Sequence, residues 1–171
     1  EIFLFSLPMV ECNGLLAEEL GEQISAGGFF SNDDFKIFSQ IIRETSLSGL
    51  LKSYRLVGKY GAAYALARMC SPEIGCDVIL YAQSTSALFG ERLYEIFLVV
   101  KRYDVDKFQT FVKSKMSTLR KSPTLTKIGE TIPSFLKIVS SKNEKIEIRL
   151  ETTEIIQRYE RGWFDKLDHI Q

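Results

Sequence analysis

The chain of 171 residues contains a single histidine, His169, which stands third from its end. Histidine supplies much of the acid–base and metal chemistry of proteins near neutral pH. A zinc site or a serine–histidine–aspartate triad is therefore not expected, and no metal ligand is assigned. We interpret His169 as a solvated residue at the end of a helix, where the helix dipole favours a cation.

Cysteine is almost as sparse, with only Cys12, Cys70 and Cys76. An odd, scattered set is no disulfide framework, and five residues between Cys70 and Cys76 do not match the short spacing of a zinc knuckle. The pattern favours a reducing, cytoplasmic setting; one disulfide with one free thiol is the alternative. Each cysteine is interpreted as a small buried apolar residue, because a thiol nucleophile needs an adjacent base or a positive environment.

No sign of charge dominates, since basic and acidic residues both number 22. There is thus no overall field to attract nucleic acid or an anionic membrane. No apolar run approaches the ~20 residues of a membrane helix, so no membrane contact is expected. Residues 58–61 (GKYG) lack the spacing of a phosphate-binding loop, and the dinucleotide and serine-nucleophile motifs are missing. No cofactor is predicted.

The remaining composition is that of an ordinary globular protein. Hydrophobic residues make up 45% and charged residues 26%, which excludes a disordered chain. A chain of this length can bury enough surface to fold without a metal or a disulfide. We expect a single domain over 1–171, with 71–75 as the weakest point for an internal boundary. The opening run EIFLF begins directly in a strand-like pattern, which is typical of a fragment of a larger protein.

Hydrophobic periodicity predicts an α+β fold, with α/β as the variant. Residues 10–70 are expected to be mainly helical, with helices at 15–24, from 32 and at 60–69, and a further amphipathic piece over 47–54. The predicted strands form a mainly antiparallel sheet and lie at 2–7, 77–82, 93–101, 125–128, 135–139 and 146–150. A helix from Asp104 to about 119 interrupts them, and an amphipathic helix from about Thr153 closes the domain. The alanine-rich helix at 60–69 has small residues that permit close packing.

Residues 93–140 follow the order strand, helix, strand, strand, with LYEIFLVVKRYDVDKFQTFVKSKM preceding a pair of short strands around Pro133. This order resembles part of a ferredoxin-like ligand-binding module, of the kind appended to bacterial and archaeal transcription regulators. The resemblance is one of pattern, and it transfers no functional residue to this sequence.

Six basic residues occur between 107 and 127 with no acid among them. Some stand near the end of the helix predicted from Asp104, where the helix dipole favours cations. The alternative is a surface for phosphate or nucleic acid. The residues assigned to such an anion contact are Lys113, Lys115, Arg120 and Lys121. Phe108 and Phe111 do not support it, because they belong to the apolar stripe of the helix.

The closing helix is rich in aromatic residues. Such a helix packs on its own core or forms a dimer or partner surface, where aromatics and arginine concentrate. The residues assigned to a partner contact are Tyr159, Trp163, Arg158 and Arg161.

Without a catalytic constellation, these observations favour a non-enzymatic regulatory, sensor or protein-interaction domain of a larger intracellular protein. A protein partner or self-association is expected. Two alternatives remain open. One is an enzyme whose pocket uses carboxylates, tyrosines or lysines. The other is a nucleic-acid-contacting domain that uses the basic cluster at 107–127.

Overall fold

Seven strands form one mixed sheet in the computed structural model, which describes residues 1–7, 32–91, 94–117, 123–142 and 146–167. The strands are β1 Ile2–Ser6, β2 Leu51–Val57, β3 Ile74–Leu80, β4 Glu95–Val100, β5 Thr124–Pro133, β6 Phe135–Ser140 and β7 Glu147–Glu151. The helices are α1 Asn32–Leu47, α2 Gly61–Ala67, α3 Val105–Met116 and α4 Thr152–Leu167. Short 3₁₀ turns occupy Ser86–Leu88 and Arg102–Asp104.

The order of strands across the sheet is β2-β4-β1-β5-β3-β6-β7. Among the described residues, β3 and β6 pair in parallel and the other neighbouring strands pair antiparallel. The prediction of an α+β domain with a mainly antiparallel sheet is therefore confirmed. Strand β1 lies inside the sheet, between β4 and β5, which accounts for its almost continuous apolar sequence.

Helices cover the sheet on both faces, because successive residues of a strand point to opposite sides. Phe3 and Phe5 of β1 pack with Phe38 of α1 and Phe108 of α3 in one apolar cluster. Ile2 faces the other way and joins a second cluster, which also contains the buried residues of α2 and Ile146. Phe97 of β4 is fully buried in this second cluster.

Strand β2 corrects the prediction for the amphipathic piece at 47–54. Leu47, Leu50, Leu51 and Tyr54 have helical spacing, yet residues 51–57 pair with β4 as an edge strand. Helix α1 ends at Leu47, and Gly49 follows with φ +74°, a left-handed conformation that interrupts the helix and that glycine adopts without strain. The N-terminal part is thus less helical than expected; the helix predicted at 15–24 lies outside the described residues.

Helix α2 confirms that the small residues at 60–69 permit close packing. The residues of α2 that are buried are Gly61, Ala62, Ala63, Ala65 and Leu66. Gly61 has φ +74°, and a Cβ atom placed on it would lie 2.5 Å from the carbonyl carbon of Phe89. The helix can therefore approach the 89–90 backbone only because no side chain stands at this position.

Residues 71–75, the predicted weak point, connect α2 to β3. Ser71 and Ile74 exchange two backbone hydrogen bonds across this turn, of 2.8 and 3.2 Å. The hydroxyl of Thr152, at the start of α4, donates a hydrogen bond of 2.7 Å to the carbonyl of Pro72.

In the described part of the chain no helix is long and apolar enough to cross a membrane.

Candidate functional site

A cavity of about 610 Å³, the strand-end pocket, lies at one end of the sheet. There β1, β2 and β3 begin and β4 ends, and the chain leaving α2 forms one wall. The residues that line the pocket are Glu1, Ile2, Lys52, Ser53, Leu66, Met69, Cys70, Ser71, Ile74, Gly75, Cys76, Val99, Val100, Lys101, Arg102, Tyr103, Glu130 and Thr131. The pocket therefore gathers residues that are far apart in the sequence.

The inner wall of the strand-end pocket is apolar. Ile2 and Leu66 are almost fully buried, and they belong to the core cluster beneath α2. Met69 and Val99 pack against the same cluster and are half-buried. Ile74 is 53% exposed at the outer edge, so the apolar surface continues from the core to the mouth of the pocket.

One side of the rim is a network of ion pairs around Arg102. Its guanidinium lies 3.1 Å from Glu1 Oε1 and 2.8 Å from Glu130 Oε2. Lys127 Nζ lies 2.8 Å from Glu1 Oε2. The Lys127 ammonium is the largest cause that lowers the pKa of Glu1, although desolvation opposes it. Both carboxylates are thus paired with cations.

Lys52 and Lys101 stand on the rim and take no part in that network. Lys101 Nζ lies 5.0 Å from the ring centroid of Tyr103, whose side chain is 73% exposed. The Tyr103 hydroxyl, as a hydrogen-bond partner, raises the pKa of Lys101. Among the lining residues three cations face two carboxylates, which leaves a net charge of +1 on the rim. The pocket mouth thus suits an anion.

Two thiols complete the wall beside the α2 terminus. Cys76 is 4% exposed, as predicted for a small buried residue, whereas Cys70 is half-buried and lines the cavity. The Cys70 thiol lies 3.4 Å from the carbonyl oxygen of Leu66. A hydrogen bond between the two thiols lowers the pKa of Cys70 and, together with burial, raises the pKa of Cys76.

A second cavity, the α1–β2 groove, has a volume of about 770 Å³. The residues that line the groove are Phe35, Phe38, Ser39, Ile42, Arg43, Ser46, Leu47, Tyr54, Leu56, Val57, Gly58 and Tyr94. Its surface is mostly apolar, and Arg43 is the one charged residue among those that line it. It offers few groups for chemistry, so the strand-end pocket is the better candidate site.

Of the predicted basic cluster, the structure describes Lys107, Lys113, Lys115 and Lys127. Lys113 is exposed on α3, and Lys115 lies 2.7 Å from Glu44 of α1 in an ion pair. Lys127 instead belongs to β5 and pairs with Glu1. Arg120 and Lys121 lie outside the described residues. Phe108 is buried and Phe111 half-buried, as the apolar stripe predicted. An anion contact on α3 stays a prediction.

On α4, the residues predicted for a partner contact are partly engaged within the chain. Tyr159 is 55% exposed, and the guanidinium carbon of Arg68 lies 3.8 Å from its ring centroid. Arg158 forms an ion pair of 2.9 Å with Glu154 one turn earlier. Arg161 is exposed, and the side chain of Trp163 lies outside the described part of the helix.

Sequence reasoning did not assign four polar residues of the pocket to a site: Lys52, Lys101, Tyr103 and Glu130. Lys101 stands at the end of a predicted strand, a position where side chains from several strands can converge. The position of Lys101 at a strand end could therefore have indicated the site. Lys52 lay in a segment that was predicted to be helical, so nothing in the sequence indicated that it stands at the start of an edge strand.

No protein-family model matches the chain, and no curated protein matches it by sequence. Solved structures do match. The chain is similar to PurL of Thermotoga maritima complexed with FGAR, with a TM-score of 0.62 and 12% identity, over 90% of this chain and 27% of that chain. It is similar to phosphoribosylformylglycinamidine synthase II of the same organism, with a TM-score of 0.57 and 10% identity, over 93% and 31%. It also matches the hydrogenase maturation protein HypE, with a TM-score of 0.52 and 11% identity, over 87% and 51%.

These matches correct the prediction of a non-enzymatic regulatory, sensor or protein-interaction domain. The structures named above include a synthase and a maturation protein, so the preference for a regulatory module was wrong. The chain spans about a quarter of the PurL chain and about half of the HypE chain. At these identities the similarity shows the fold: this chain has the α+β fold that recurs within PurL and HypE.

Proposed function

We propose that the chain is a domain of an enzyme and that the strand-end pocket binds an organic anion of the phosphate-ester class. The observation that carries the proposal is the meeting of an apolar wall with Lys52, Lys101 and Tyr103 in one cavity. Small-molecule sites usually combine a largely apolar lining with a few convergent polar groups. The carboxylate, tyrosine and lysine composition matches the enzyme alternative raised by the sequence.

The dimensions of the pocket support a ligand of moderate size. Its volume of about 610 Å³ falls within the roughly 300–1,000 Å³ typical of ligand cavities. A ring or chain can pack against Ile2 and Leu66, while the ammonium groups of Lys52 and Lys101 neutralise a phosphate or carboxylate. Charge-assisted hydrogen bonds of this kind are stronger than neutral ones.

The ion-pair network supports a binding role for the rim more than an acid–base role. Glu1 and Glu130 both form ion pairs with Arg102, so their carboxylates are directed to a cation of the chain and not to a ligand. Their function is to position Arg102 beside Lys101. The amine of Lys101 and the hydroxyl of Tyr103 remain as donors to a ligand oxygen.

Adenine nucleotides are the first ligands to test. Structures of Thermotoga maritima PurL were solved in complex with ATP and with ADP. This chain covers about a quarter of those chains, so the activity of the whole protein does not follow from them. The proposal is restricted to binding of an anionic ligand by the domain.

Calorimetric titration of ATP, ADP, AMP and inorganic phosphate, with and without Mg²⁺, tests the proposal. Lys52→Met and Lys101→Met should each weaken the binding of the best ligand by about tenfold or more, because each removes a charge-assisted contact. Lys113→Met, an exposed lysine on α3, is the matched control and should bind as the wild type does. An equal loss of affinity in the control, or tight binding by the Lys52→Met/Lys101→Met double variant, would overturn the assignment of this pocket.

We also propose that α4 contacts a protein partner and that the chain is located in the cytoplasm. A HypE structure was solved as a complex with HypF, and α4 in this chain exposes Arg161 and part of Tyr159. Thiols at Cys70 and Cys76 suit a reducing compartment. Capture of a defined partner by the wild type and by Arg161→Ala alike would argue against the α4 contact.

A further inference from the structure

We infer that Cys70 and Cys76 form a thiol modification site, at which Cys70 reacts with a small disulfide and Cys76 then closes an intramolecular disulfide. Cys76 belongs to the apolar cluster beneath α2, Cys70 packs against the same cluster, and both line the strand-end pocket, with five residues between them in the sequence. This inference does not depend on the ligand of the pocket. It also does not conflict with a reducing compartment, where such pairs are transient and reversible.

The two cysteines differ in solvent exposure, and this difference gives each thiol its own role in the reaction. Cys70 lines the cavity and is half-buried, so a small disulfide in the pocket can reach its sulfur. Cys76 is 4% exposed in β3 and can meet only a group already attached to its neighbour. The lowered pKa of Cys70 increases its thiolate fraction, and the thiolate is the form that attacks a disulfide.

The turn that joins the two cysteines is held in place by hydrogen bonds. Ser71 and Ile74 exchange two backbone hydrogen bonds, and the Ile74 amide also donates to the Ser71 hydroxyl at 3.2 Å. Pro72 is fixed by the hydrogen bond from Thr152, a fully buried residue. A pair of thiols held together in this way has a high effective concentration for ring closure.

The reaction proceeds by two thiol–disulfide exchanges. The Cys70 thiolate attacks one sulfur of a small disulfide such as oxidised glutathione; the S–S bond of that molecule breaks, and one glutathione thiolate leaves. Cys76 transfers its proton to that thiolate and attacks the Cys70 sulfur, which releases the second glutathione as a thiolate that takes a proton from water. The protein thiols lose two electrons in total, and the small disulfide gains them.

The test is incubation of the folded chain with oxidised glutathione, followed by acid quenching, alkylation and mass spectrometry. The wild type should lose two hydrogens, with the bond mapped to Cys70–Cys76 and with Cys12 alkylated; dithiothreitol should reverse the change. Cys76→Ala should instead keep one glutathione adduct on Cys70. Cys12→Ser is the matched control and should react as the wild type does.

Three outcomes would overturn the inference. They are a stable glutathione adduct on Cys70 of the wild type, a disulfide that includes Cys12, and no reaction of the folded chain under conditions where the unfolded chain reacts. Because Cys76 is buried and its replacement could impair folding, circular dichroism accompanies the variant. The Cys12→Ser protein alone still decides the case, since only one pairing is open to it.

Discussion

Gly61 and Gly49 provide a matched pair that tests the close packing of α2. Both have φ +74°, a conformation that costs a residue with a side chain about 1 kcal/mol or more. A Cβ atom on Gly49 would meet nothing within 4 Å. One on Gly61 would lie 2.5 Å from the Phe89 carbonyl carbon and 2.7 Å from the Gly90 carbonyl oxygen. The steric difference therefore isolates the contact between α2 and the 89–90 backbone.

Gly49→Ala should lower the free energy of unfolding by about 1 kcal/mol, the cost of the left-handed backbone alone. Gly61→Ala should carry the same cost and a further ~1–3 kcal/mol of overpacking, because backbone atoms cannot rotate away as a flexible side chain can. For a domain of this size, each 1 kcal/mol corresponds to about 2–4 °C in Tm.

Urea unfolding followed by circular dichroism measures both losses. The reasoning would be refuted if the two variants were destabilised equally, because the contact with Phe89 and Gly90 would then cost nothing. Gly61→Ala should also weaken ligand binding in the strand-end pocket, since α2 carries Leu66 in the wall. Gly49→Ala should leave that binding unchanged.

Three further perturbations follow from the packing and the ion pairs. Phe97→Ala removes a fully buried ring and should cost about 3–5 kcal/mol in urea unfolding; a loss below about 1 kcal/mol would contradict its burial in the core. Lys127→Met removes the largest cause that lowers the pKa of Glu1. The stability advantage of the wild type should be present above about pH 4.3, the usual value for a glutamate, and should fade as pH falls through the lowered pKa. An advantage that does not change with pH would show that Glu1 is not responsible. Tyr159→Leu should cost about 0.5–1 kcal/mol through loss of the Arg68 contact, whereas Tyr159→Phe should be near neutral in the same unfolding assay.

The elements that could be predicted are those whose pattern is local. Helix α3 and strand β7 follow from spacings of apolar residues that one short window contains. The prediction for 47–54 was wrong for the same reason: helical spacing across Leu47 and Leu51 ignores Gly49, and pairing with β4 is a tertiary event. The spacing of apolar residues within one segment carries no information about the strand with which that segment pairs.

The strand-end pocket could not be predicted because its contacts join distant parts of the sequence. Arg102 meets Glu1 across 101 positions and Glu130 across 28. The mistaken preference for a non-enzymatic domain came from treating missing motifs as missing chemistry. A pocket built from lysine, tyrosine and glutamate needs no contiguous motif, because the sheet brings those residues together.

The contact between Arg68 and Tyr159 has a consequence for communication between two surfaces. Arg68 stands two positions before Cys70, and Tyr159 of α4 is 55% exposed although its ring contacts Arg68. If a protein bound α4 through the Tyr159 ring, it would have to displace the Arg68 guanidinium from that ring. Thermodynamic linkage makes such a competition reciprocal, so a change that strengthens the Arg68–Tyr159 contact would weaken the binding of that protein to the same extent.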